Sequence, residues 1–211
     1  MKVAILSESP ADEAALRILA NSILPIEPVS GKPPSLRERG WPSVHQILPA
    51  VIRALHYQTD AEALVVVVDS NHSPMHGTDY DVPGGFNPKC RLCFLREKVR
   101  KTLGALKQVP GKPMIKTVIG IAVPAIEAWY LCGKDPAVSE AAWKVGLDTG
   151  VDPYTKNQLK EKVYGTDRPS LELETACAEE EATRLGESID LLRTYFPNGF
   201  GPFEQDLRAL Q

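Results

Sequence analysis

Glu8, Asp69 and Glu127 are the residues whose types and placing could do chemistry together. Each follows an apolar run. Glu8 comes after Val3-Ala4-Ile5-Leu6-Ser7, Asp69 ends Ala63-Leu64-Val65-Val66-Val67-Val68, and Glu127 lies one turn beyond Ile121-Ala122-Val123-Pro124. Asp12 stands four residues after Glu8, and Asn71 two after Asp69. Short apolar runs with abrupt ends read as buried strands of a parallel sheet. Ligands of such sheets bind beyond the carboxyl ends of the strands. Carboxylates gathered on one rim without neutralising partners repel one another, and a hard divalent cation held through oxygen is the usual resolution. Any one of these acids also reads as a helix cap or a first-turn acid drawn by the helix dipole. The coincidence of three strand ends is what favours a shared site.

A second constellation is thiophilic. His72-x3-His76 is followed by Cys90-x2-Cys93, so two of the four histidines and two of the four cysteines fall in one polar, Gly/Pro-rich loop. Both pair spacings suit a tetrahedral structural zinc that staples the loop beside Asp69. The alternative is two loop histidines and two packed thiols at a helix start. Cys132 and Cys177 read as small buried apolar groups.

The elements that must position these residues alternate. A strand at 2–7 leads to a helix capped by Ser9 with Pro10 in its first turn. A short strand is expected at 26–29 within a Pro/Gly/Arg stretch. A helix over 43–57 carries Val44, Leu48, Val51, Ile52 and Leu55 on one side, with Pro49 as an alternative start. The valine strand, a loop over 70–89, a basic helix at 90–107, a strand at 115–123 and a helix from Pro124 follow. This alternation predicts an α/β three-layer, Rossmann-like fold with a mainly parallel sheet over residues 1–134. Residues 135–211 read as a helical portion packed on that core.

Composition bounds the function. The chain has 211 residues, 43% hydrophobic and 24% charged, as expected of a globular protein that needs no disulfide framework. No apolar run approaches the ~20 residues of a membrane span. The start meets an acid too early for a signal peptide, so a cytoplasmic location is expected. A net charge of −3 excludes a generally basic nucleic-acid-coating protein, but not a local basic site.

The arrangement resembles the Toprim domain of topoisomerases, primases and old-family nucleases, and more closely a family of small stand-alone Toprim-like proteins of unknown function. The segments that carry it are Glu8-Ser9-Pro10-Ala11-Asp12, Arg37-Glu38-Arg39-Gly40-Trp41, Val66-Val67-Val68-Asp69-Ser70-Asn71, Ile121 to Leu131 with its Pro-x-Ile-Glu-x-Trp core, and Tyr195-Phe196-Pro197-Asn198-Gly199-Phe200. Ser9 replaces a glycine and Asn71 replaces a second aspartate of the pattern. The resemblance implies a Mg²⁺- or Mn²⁺-dependent nuclease or phosphodiester-processing enzyme. Glu8, Asp69 and Asn71 would hold one ion, and Asp12 or Glu127 would help with a second. Glu8, Asp69 and Glu127 would be catalytic, and Arg37, Arg39, Arg91 and Arg96 would contact phosphates of DNA or RNA. It also implies an ATPase partner and a place in a phage-defence or mobile-element system. The alternative is a non-catalytic Toprim-like subunit that binds a partner protein or a nucleotide.

Overall fold

Valine at four successive positions fills both faces of a strand, and all seven residues of β2 (Ala63–Asp69) are buried. It lies at the centre of a parallel sheet, with β1 (Val3–Leu6) and β3 (Lys116–Ala122) on its two sides. Val3 pairs with Ala63, and Asp69 with Ala122. The computed structural model describes residues 1–31, 34 and 40–211. The expected strand at 26–29 is reduced to one bridge between Glu27 and Lys2. Pro25 and Pro28 flank this stretch, and a proline has no N–H to extend the ladder.

Parallel strands need crossovers, and helices supply them. Helix α1 (Pro10–Ile23) starts as its sequence signals, with Ser9 Oγ accepting from Asp12 N at 3.1 Å. Helix α2 (Trp41–Gln58) starts at Trp41 and runs through Pro49. Pro49 lacks the N–H that would bond the His45 carbonyl. Lys98, on α3 (Arg91–Gly104), donates to that carbonyl instead at 2.6 Å. Helices α2 and α3 pack on each other and against β2 and β3.

Beyond β3 come α4 (Ile126–Tyr130), α5 (Glu140–Thr149), α6 (Lys156–Tyr164), α7 (Leu171–Gly186), α8 (Ile189–Tyr195) and α9 (Phe200–Arg208). Helix α7 covers α1, and α9 packs on β3. Gly120 in β3 makes the second contact possible, because a Cβ there would stand 2.9 Å from Phe203 Cδ2. Trp129 meets Phe200 edge to face at 5.2 Å, and both are fully buried. The C-terminal helices therefore complete the core. Among the described residues no helix is long and apolar enough to cross a membrane.

Candidate functional site

The carboxyl ends of β1 and β2 and the first turn of α4 meet in a cavity of about 140 Å³. Glu8, Asp12, Asp69 and Glu127 line it, as the sequence predicts, with Lys156, Lys160, Tyr164 and Glu174 opposite. Glu8 Oε1 accepts from Asp69 N at 3.0 Å, which joins two strand ends. Asp69 Oδ1 accepts from Ile126 N at 3.0 Å, which joins the third. Asp69 is thus fixed by backbone and 5% exposed. Glu127 is equally buried, and its Oε2 has no hydrogen-bond partner.

The positive charge at this rim comes from the protein. Lys156 Nζ lies 2.5 Å from Asp69 Oδ2. Lys160 Nζ is 3.3 Å from Glu174 and 3.9 Å from Glu127. Arg91 Nη1 donates to the Asp69 carbonyl at 2.6 Å and stands 3.6 Å from Glu8. This corrects the expectation of carboxylates without neutralising partners. The two lysines belong to α6, in the portion whose sequence reads only as helix and loop. A signal for them exists in the sequence: Lys156, Lys160 and Tyr164 are spaced i, i+4, i+8 and so share one helix face. Thr155 and Gln158 form the capping box that starts the helix. Glu174, on α7, has no comparable signal.

Crowding of like charge in a buried cleft shifts the acidities. Burial first, then the charge of Asp69, pushes the Glu8 and Glu127 carboxyls up to about 7. The same two causes, with Glu127 added, raise Asp12 well above the usual range. Burial opposes the charge on Lys156, but Asp69, Glu127 and Glu8 outweigh it and hold the ammonium. Burial and the nearby carboxylates push the Tyr164 phenol up, so it is neutral.

The Asn71 side chain is directed at Arg91. Its side-chain oxygen, assigned from the donors that face it, accepts from Arg91 at 3.0 and 3.2 Å. Its φ of +48° is a left-handed conformation that asparagine tolerates. Arg91 also lies over the Trp41 ring at 4.7 Å, so its guanidinium is spent on positioning the strand ends. Arg96 points elsewhere, donating to Asp81 at 3.0 Å. Arg37 and Arg39 lie outside the described residues.

The thiol–imidazole constellation comes together in part. His76 Nδ1 is 3.7 Å from Cys90 Sγ and 3.4 Å from Cys93 Sγ. Among the described residues this is the one group of three His, Cys, Asp or Glu whose ligating atoms lie within 4.8 Å of one another. The cluster could bind a metal such as zinc. His72 is not part of it. Its exposed ring sits 5.7 Å from Trp143, with Nδ1 3.8 Å from Asp152. Among the described residues, no three carboxylates of the pocket reach the same closeness.

Comparison of the chain with protein-family models, with curated proteins and with solved structures finds no match to any of them.

Proposed function

We propose that the chain is a Toprim-type phosphodiester-processing protein, acting on nucleic acid with Mg²⁺ or Mn²⁺ at the Glu8/Asp69/Glu127 pocket. One observation carries the reading: three carboxylates from separate elements share one cavity, and Glu127 Oε2 is buried there without a partner. The donor set is hard oxygen, which fits a hard cation. Glu8, Asp69, Asp12 and Glu127 would hold it, in competition with Lys156. Such an ion would polarise a phosphodiester and would make bound water more acidic. The protein's own groups do the rest. Lys160 and Lys156 face the pocket and offer charge to a phosphate oxygen. Glu127, poised near neutrality, can hold or release a proton at Oε2. Arg91 keeps the ends of β1 and β2 in register.

The test is cleavage of DNA and RNA by the full chain with Mn²⁺ or Mg²⁺. Loss of activity in both Glu8→Gln and Asp69→Asn supports the reading. Full activity in either overturns it. The ATPase partner and the defence setting belong to the same proposal and follow from the resemblance alone.

A second reading has its own observation. The Lys156–Asp69 contact and the Arg91 contacts already neutralise part of the cluster. That favours a non-catalytic subunit whose pocket takes an anionic group of a nucleotide or partner. A nucleotide-dependent rise in melting temperature without any cation would select it.

A further inference from the structure

We propose that His76, Cys90 and Cys93 form a zinc site with three protein ligands, and that this site fixes the first turn of α3 and so the reach of Arg91. The site stands independently of the phosphodiester reading.

The distances suit the metal. Zinc–sulfur bonds of about 2.3 Å and zinc–nitrogen bonds of about 2.0–2.1 Å at a tetrahedral angle place nitrogen and sulfur about 3.5 Å apart. The observed separations are 3.4 and 3.7 Å. The imidazole is held from its far side. His76 Nε2 lies 3.0 Å from Asp81 Oδ2 and 3.2 Å from Arg96 Nη1, and the tautomer protonated at Nε2, which the carboxylate favours, would present the Nδ1 lone pair to the two sulfurs. Asp81 is itself held by Arg96 at 3.0 Å. A carboxylate behind a ligating imidazole is the usual outer support of a zinc histidine. The surroundings suit soft ligands: Cys90 is 1% and Cys93 5% exposed.

The place in the fold says what the site does. Cys90 is the N-cap residue of α3, and Cys93 lies in its first turn. Arg91 stands between them and contacts Asp69, Glu8 and Asn71. Binding His76 to both cysteines ties the loop after β2 to the start of α3. Three protein ligands would leave one tetrahedral position for a ligand from outside the chain.

The test is titration of the reduced full-length chain with Co²⁺, followed by displacement with Zn²⁺. One equivalent of Co²⁺ should give tetrahedral d–d bands with thiolate-to-cobalt charge transfer, and Zn²⁺ should abolish both. His72→Ala and Asp69→Asn should leave the spectrum intact. Cys93→Ser and His76→Ala should each weaken binding at least tenfold. Their far-UV circular dichroism, read beside the titration, shows that the fold persists. Asp81→Asn should weaken binding about 10–100-fold, the usual cost of losing an outer partner. No charge-transfer band in wild type overturns the proposal, as does formation of a Cys90–Cys93 disulfide that zinc does not prevent. Loss of binding in His72→Ala overturns the three-ligand assignment. Retained cobalt binding in Asp69→Asn, with or without cleavage activity, separates this result from the fate of the carboxylate pocket.

Discussion

Lys156 Nζ stands 2.5 Å from Asp69 Oδ2 across 87 positions of sequence, which ties a C-terminal helix to the end of the central strand. The pair is unequal, because the Asp69 side chain is 7% exposed and that of Lys156 42%. Removing one partner of a fully buried pair costs about 3–5 kcal/mol, and an exposed pair contributes at most about 1. Lys156→Met should therefore fall between, destabilising the fold by about 1–2 kcal/mol in urea unfolding. Lys162, on the same helix as Lys156, makes a more exposed contact with Asp135 of the segment between α4 and α5, and Lys162→Met should cost less than half as much.

The raised acidities of Glu8 and Glu127 fix the sign of a pH effect. Both carboxyls move from 4.5 to about 7, so between these values the folded state binds more protons than the unfolded chain. Stability then falls as pH rises through that window and levels off above it. Melting temperature should drop from pH 4.5 to pH 7 by the equivalent of at most about 7 kcal/mol, the sum for two independent groups, since a tenfold difference in proton affinity between the two states corresponds to about 1.4 kcal/mol. The Glu8→Gln/Glu127→Gln protein should lose most of the slope. A wild-type melting temperature that rises steadily across the window would refute the assignment.

The rim of carboxylates is legible in the sequence because each acid follows an apolar run, and such runs reveal strand ends directly. Val66, Val67 and Val68 locate β2 without help, and Ser9 and Pro10 mark the start of α1. The cations opposite are far harder to read. Lys156 and Lys160 sit in a polar helix, Lys-Asn-Gln-Leu-Lys-Glu-Lys-Val-Tyr, whose composition is that of a solvated surface. Only tertiary packing turns that face inward. His72 shows the opposite failure. Its spacing to His76 suits a zinc pair, but backbone geometry after β2 sends it to Trp143 and Asp152. Spacing specifies reach along a chain and leaves direction open.

Asn71 provides a sharp discrimination within the pocket. Its oxygen is directed at Arg91, whereas Asp69 is held at the centre of the carboxylate group. Under the proposed metal reading, Asn71→Ala should keep a Mn²⁺-dependent melting shift within about twofold in apparent affinity. Asp69→Asn should abolish it. The shift follows RT ln(1 + [L]/Kd), so titration at several Mn²⁺ concentrations gives the affinity directly. Equal loss in both proteins would put Asn71 on the metal.

Gly120 tests whether residues 135–211 are an appendage or part of one core. A Cβ at this position of β3 meets Phe203 Cδ2 at 2.9 Å and Val67 Cγ2 at 3.1 Å, so α9 rests on the strand only because the side chain is missing. Overpacking a filled interior costs about 1–3 kcal/mol. Gly120→Ala should cost that much, and Gly120→Val more. The cost should register in a single cooperative transition, because Phe203 and Trp129 are both fully buried and join the helices to the sheet. Phe203→Ala should remove the clash of Gly120→Ala while leaving its own cavity, so the double mutant should be more stable than the sum of the two losses predicts. Strict additivity, or two separate unfolding transitions, would mean that α9 and the sheet are energetically independent despite their contact.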